Sequence, residues 1–238
     1  MSQQQQQIQD SIFIRASSKR NGMTSMLLGV VALIVAILLF KLLPNEANLL
    51  AIFVTSLAIV AFLIGWFKVR EPAHSMRLSR EGLLYHHRKG TWQLDWDNIQ
   101  RIDIPKITQG IEQTHLALVG LRIKDYRPLL RAISPRLATH IMMEQRPLLL
   151  QAQSDNCDSG TCYSEDMIED DKYRDEDGRQ YKGIVAMFAN RMTKLRNRLG
   201  FDLYINSAEL DRENNEFVSL LRDCQASALT QNQVDGSQ

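Results

Sequence analysis

MTSMLLGVVALIVAILLF, residues 23–40, contains no charged side chain. At about 1.5 Å per residue a helix of this length covers roughly 27 Å, close to the hydrocarbon core of a bilayer at about 30 Å. A second uncharged run, LLAIFVTSLAIVAFLIGWF, fills residues 49–67. The segment between them, KLLPNEAN (41–48), holds Pro44, Asn45 and Asn48 as turn formers. Two helices joined so tightly are expected to run antiparallel, as a transmembrane hairpin over residues 23–67.

Three other readings fit less well. A cleaved signal peptide has a shorter apolar region and a small-residue cleavage site, whereas this run leads into Lys41-Leu42-Leu43 and a second span. A buried soluble hairpin would expose polar faces every few residues, and neither run has one. A single span with a re-entrant segment has no positive support. Arg15, Lys19 and Arg20 precede the first run, and Lys68, Arg70, Arg77 and Arg80 follow the second, against Lys41 alone in the loop. By the positive-inside rule both termini should be cytoplasmic. Trp66 stands where an interfacial anchor is expected. Ala32 with Ala36, and Ala61 with Gly65, put small residues four apart, a spacing that lets helices approach closely. Neither span carries an ionisable residue, so the hairpin reads as an anchor and not as a transport path.

The chain has 238 residues and a formal net charge of +1, which argues against general nucleic-acid binding. Three cysteines, Cys157, Cys162 and Cys224, are too few for a disulfide framework and fit a reducing compartment. The polar opening, residues 1–22, and the polar end, residues 226–238, read as disordered tails.

Beyond the spans the pattern turns to short strands. Residues 76–78 and 83–87 are followed by Arg88-Lys89-Gly90 as a hairpin turn. Trp92, Leu94 and Trp96 alternate with polar residues, as a half-buried strand does. Ile99, Ile102 and Ile104 suggest another strand, and 116–123 a further one with Gly120 as a bulge. A helical stretch covers 126–150, with Ser134 as N-cap and Pro135 at the first helical position. Residues 151–179 are crowded with acids, among them Asp155, Asp158, Glu169, Asp171 and Asp177, and read as an exposed loop or linker. A helix over 181–199 stopped by Gly200, a strand over 201–205 and a last helix with Phe217, Leu220 and Leu221 complete a segment at 180–225.

The stretch MRLSREGLLYHHRKGTWQLDWDNIQRIDI resembles the opening of bacterial pleckstrin-homology-like domains, which often follow a pair of membrane helices. More widely, YHHRKGTWQLDWDNIQRID, ISPRLATHIMMEQRPLLL and NRMTKLRNRLGFDLYI resemble an uncharacterised proteobacterial family of two-span inner-membrane proteins, domain-of-unknown-function family 2982. The resemblance implies an inner-membrane setting and brings no activity with it. The expected fold class is α+β: the hairpin, then a small pleckstrin-like barrel or sheet domain over 75–150, closed by C-terminal helices.

Several side-chain constellations also have simpler readings. Cys157 and Cys162 sit among hard oxygen donors rather than the soft partners zinc prefers, and read as free or redox-active thiols. The acids around Gly178 lack EF-hand spacing and read as a solvated loop, with a handle for a basic protein partner as the functional alternative. His86 and His87 would point to opposite faces of a strand, which argues against joint ligation. With Arg88 and Lys89 they form a basic tip that could meet lipid headgroups, against the plainer reading of a solvated turn. Arg191, Lys194 and Arg198 lie on an amphipathic helix that could face the bilayer or pack on its own domain. No phosphate loop, nucleophile elbow or zinc-protease motif is present, so no catalytic, cofactor or metal residue is assigned. The expected function is a membrane-anchored binding or scaffold protein, the alternative being a membrane-anchored enzyme with a site assembled from separated residues. The oligomeric state is not readable.

Overall fold

A computed structural model describes residues 11–16, 22–42, 48–69, 74–109, 112–151 and 169–235. The chain divides into two compact units, one of residues 15–73 and one of residues 1–14 together with 74–238.

The smaller unit holds helices α1 (Gly22–Leu42) and α2 (Asn48–Val69). Within α1, Met23–Lys41 is long and apolar enough to cross a membrane, while the apolar stretch Ala51–Phe67 of α2 is shorter. The two helices pack together through small residues. A Cβ added to Gly29 would lie 2.7 Å from the backbone nitrogen of Phe62, and one on Gly65 would lie 2.5 Å from that of Met26. The contacts pair an early residue of one helix with a late residue of the other, so the helices run antiparallel. Buried small residues recur every seventh position, as Gly29 and Ala36 on α1 and Ala51, Ala58 and Gly65 on α2. That period is the signature of a supercoiled seam, and it differs from the expected four-residue spacing. Ala32 and Ala61 are only half-buried. Most remaining side chains, among them Leu27, Ile34, Phe53 and Leu63, are exposed. The expected turn at Pro44 and Asn45 lies outside the described residues.

The larger unit begins with a three-residue strand, β1 (Ile12–Ile14), ahead of both helices. It pairs antiparallel with β2 (Met76–Leu78), which follows them, with Ile14 opposite Met76. Strands β3 (Gly82–His87) and β4 (Gly90–Asp95) extend this sheet in the order β1-β2-β3-β4. Alternation decides which side faces the core: Trp92 and Leu94 on β4 are buried, and Trp96 just beyond donates its indole N–H to the Ser79 carbonyl at 2.8 Å.

A second sheet has β5 (Ile99–Asp103) and β8 (Leu118–Ile123) with β11 (Leu203–Asn206), in the order β11-β8-β5. A register shift between Ile99 and Arg101 adds one residue to β5. The extra residue lets Ile99 and Ile102, three apart, both point into the core. Gly120 makes no bulge; the Phe201 ring lies against it, 2.5 Å from where a Cβ would stand. A hairpin of β6 (Lys106–Gln109) and β7 (Glu112–His115) joins β5 to β8.

Three helices follow: α3 (Arg127–Ala132), α4 (Pro135–Glu144) and α5 (Arg146–Gln151). Ser134 caps α4 as expected, its hydroxyl accepting from the Leu137 N–H, with Pro135 in the first turn. Strands β9 (Lys172–Arg174) and β10 (Gln180–Lys182) form a hairpin ahead of α6 (Ile184–Leu199), which ends on Gly200 with φ 82°. The last helix is α7 (Asn214–Asp235). Its Gln225 amide bonds the carbonyls of Trp96 and Ile99, and Arg222 bonds that of Ile102, so side chains of α7 satisfy the edge of β5.

The fold is thus mixed α+β with open sheets, and it corrects several expectations. Residues 12–14 of the supposed N-terminal tail form a strand whose Ile14 is fully buried, because its partner arrives only after the two helices. The supposed C-terminal tail is helical to Asp235, with Ala228 in the core. The separation of 75–150 from 180–225 gives way to one unit, because β11 pairs with β8 and Phe188, Phe217 and Leu221 share a core with Met76 and Trp92. The helix expected from residue 181 starts at Ile184, since Gln180–Lys182 are held by β9. Part of the acidic linker is the β9–β10 hairpin; Asp155, Asp158 and the pair Cys157 and Cys162 lie outside the described residues.

Candidate functional site

The strand register brings four chain passages to one end of the first sheet. The Ser75 N–H bonds the Ile14 carbonyl at 2.9 Å, and the His86 N–H bonds the Ser75 carbonyl at 2.7 Å. The end of β1, the start of β2 and the β3–β4 turn therefore lie side by side. Four of the five histidines gather here: His74, His86, His87 and, from α4, His140.

His86 and His87 point to opposite faces, as strand alternation demands. On the outer face, the His74 ring lies 4.8 Å from Phe13 and the Arg77 guanidinium 5.7 Å from the same ring. Burial, then Arg77 and His74, hold His86 below the ordinary imidazole range. On the inner face the His87 ring stacks on His140 at 4.5 Å and continues a stack through Tyr85 to Trp92. The Lys89 backbone N–H donates to His87 Nδ1 at 3.1 Å, and Lys89 Nζ lies 2.9 Å from His140 Nδ1. His140 Nε2 faces Glu144 at 3.2 Å. Burial, with His140 and Lys89 close by, lowers His87 to about 4. Arg88 is exposed at the tip.

Stacked imidazole planes do not converge on one ion, and among the described residues no group of three His, Cys, Asp or Glu side chains could hold a metal.

The basic residues of α6 are placed otherwise than their membrane-facing reading requires. Arg191 is 3% exposed, with Nε 2.6 Å from Glu169 Oε1 and Nη1 donating to the Met142 carbonyl near the end of α4. Lys194 Nζ lies 3.0 Å from the other Glu169 oxygen, and Arg198 donates to the Leu149 carbonyl of α5. These cations serve the interior and the C-terminal ends of neighbouring helices. Glu169 was hidden in an acidic run whose composition suggested solvent.

A second concave region was not foreseen. A cleft of about 260 Å³ lies between the β8–α3 connection and the β9–β10 turn, lined by Tyr126, Tyr173, Arg127, Asp177 and Arg196 among others. Behind it Asp202 is fully buried. It accepts from the Ile123 N–H at 2.8 Å, from the Tyr126 hydroxyl at 2.5 Å and from Arg196 through Nε and Nη2, each at 2.6 Å. Burial and then Asp202 push the Tyr126 phenol well above its usual range, so it is no ready base or nucleophile. At the rim Arg127 grips Asp125 and reaches Asp177. The network ties β8, β11 and α6 together, and its hydroxyl and carboxylate are saturated by one another. The only sequence trace of it was an acid directly after Phe201 in an apolar strand.

A family model described as "Protein of unknown function (DUF2982)" matches residues 76–227, more than half of the chain, and the chain belongs to that family. No curated protein matches it, and no solved structure does.

Proposed function

We propose that this DUF2982 member is a membrane-anchored binding or scaffold protein, held by α1 and α2 crossing the inner membrane twice, with its larger unit in the cytoplasm. One observation carries the reading: β1, ahead of the two helices, is hydrogen-bonded to β2, behind them. A chain that leaves a sheet and returns to it crosses a bilayer an even number of times. A single crossing at Met23–Lys41 would put the two paired strands on opposite sides. Cleavage after a signal sequence would likewise remove Ile14 from the core. The shorter apolar stretch of α2 is compatible with a span through its full 22-residue helix. The basic flanks support a cytoplasmic domain.

A pleckstrin-like relationship draws support from two antiparallel sheets around a shared core with a C-terminal helix, α7, against β5. The mechanism is tethering: the apolar helices fix location, and the domain surface engages its target.

Reporter fusions test the topology. Fusions after Gln238 and within the loop at Pro44 should report cytoplasmic and periplasmic locations respectively, and the protein should resist carbonate extraction. A periplasmic Gln238 fusion, or release by carbonate, overturns the reading.

A further inference from the structure

The first sheet is polarised along its strands. The end that carries the chain into and out of the apolar segment presents Arg77 and Arg88, with His74 and His86. The other end is mixed, with Arg80 beside Glu81, Asp95 and Asp97. On the outer face at the first end Phe13 is 38% exposed, although it is a large aromatic that gains nothing from water. Its register partner is Arg77, whose guanidinium lies over the ring. An aromatic ring bordered by cations is the composition of a bilayer interface.

We propose that this sheet end is a contact surface for anionic phospholipid headgroups, with Phe13 as the interfacial aromatic and Arg77 and Arg88 meeting the phosphates. The proposal rests on the membrane anchoring argued above. The covalent chain favours a lipid occupant over a soluble one. Five backbone steps join Val69 to His74, and an extended chain covers at most about 17 Å over them. The connection is therefore short, and His74 at this end is the first described residue after α2. The charge there comes from arginine, so contact does not wait on histidine protonation.

The test uses the full chain in lipid discs, with Cys157, Cys162 and Cys224 replaced by serine. Single cysteines at Phe13→Cys, Glu81→Cys and Val60→Cys carry an environment-sensitive fluorophore. In phosphatidylglycerol discs, headgroup nitroxides should quench the label at position 13 and spare the one at 81. Adding Arg77→Glu with Arg88→Glu should weaken contact by about fivefold per cation lost. Acyl-chain nitroxides should quench the label at position 60, which reads anchoring alone. Quenching at 60 without quenching at 13 overturns the lipid surface and leaves the anchor standing. No quenching at 60 overturns the anchor. Equal quenching at 13 in phosphatidylcholine discs overturns the preference for anionic headgroups. Shielding of position 13 only in discs with two copies assigns the surface to self-association and overturns the proposal.

Discussion

Arg191 and Glu169 form a buried ion pair, Nε to Oε1 at 2.6 Å, with each side chain almost wholly removed from solvent. Lys194 closes on the second carboxylate oxygen. The pair ties the segment before β9 to α6 and, through the Met142 carbonyl, to α4. Removing one partner strands a buried charge. Arg191→Ala or Glu169→Ala should lower unfolding free energy by about 3–5 kcal/mol, whereas Arg191→Met with Glu169→Leu should recover much of the loss. Denaturant unfolding of the detergent-solubilised chain measures both, and equal losses in single and double variants would contradict the burial argument.

Asp202 offers a spectroscopic readout. Its carboxylate holds the Tyr126 hydroxyl and the Arg196 guanidinium. Asp202→Asn should destabilise by about 1.5–3 kcal/mol. It should also bring the Tyr126 phenol down toward the ordinary tyrosine range, because the Asp202 charge acts together with burial to hold it up. Ultraviolet titration against a Tyr126→Phe reference isolates that one group.

The close approach of α1 and α2 leaves no space for a methyl group at two points. Gly29→Ala and Gly65→Ala should each cost about 1–3 kcal/mol through overpacking, since the atoms in the way are backbone. Val60→Leu, at an exposed position, should change little. Thermal unfolding in detergent compares the three.

His87 gives stability a pH dependence of known sign. Its folded-state value is lowered to about 4, from 6.5 in the unfolded chain. The unfolded chain therefore binds the proton first, and stability falls as pH drops from about 6.5 toward 4. The effect is on the order of 1 kcal/mol after allowance for solvent screening at a half-buried ring. His87→Phe should flatten this part of the stability profile, and an unchanged slope would locate the titration elsewhere.

Much of the local structure was legible because its causes are local. Ser134-Pro135 announces a helix start, Gly200 a helix stop, and the alternation of Trp92, Leu94 and Trp96 a half-buried strand. What escaped depends on partners distant in sequence. Ile12-Phe13-Ile14 is β-favouring but too short to be read as a strand alone, since its ladder lies with Met76–Leu78. Phe201 and Leu203 gave no hint that β11 would lie beside β8. In the candidate site, the basic tip and the opposed histidines were readable, whereas His140 and Phe13 were not, because they come from other elements. The cations of α6 were read as surface charges because their periodicity is amphipathic. Only the fold reveals that Glu169 draws Arg191 and Lys194 to it.

The pairing of β1 with β2 also orders events in time. The first strand leaves the ribosome before either apolar helix, yet it has no partner until Met76–Leu78 has followed them out. On the anchored reading, the first residues wait unpaired while the insertion machinery takes up α1 and α2. On that reading the larger unit cannot finish its sheet before both helices have been made. Until β1 pairs, β2 has an open edge, ready for pairing with a neighbouring chain. Quality control at the membrane would therefore meet an incompletely folded domain until that pairing forms.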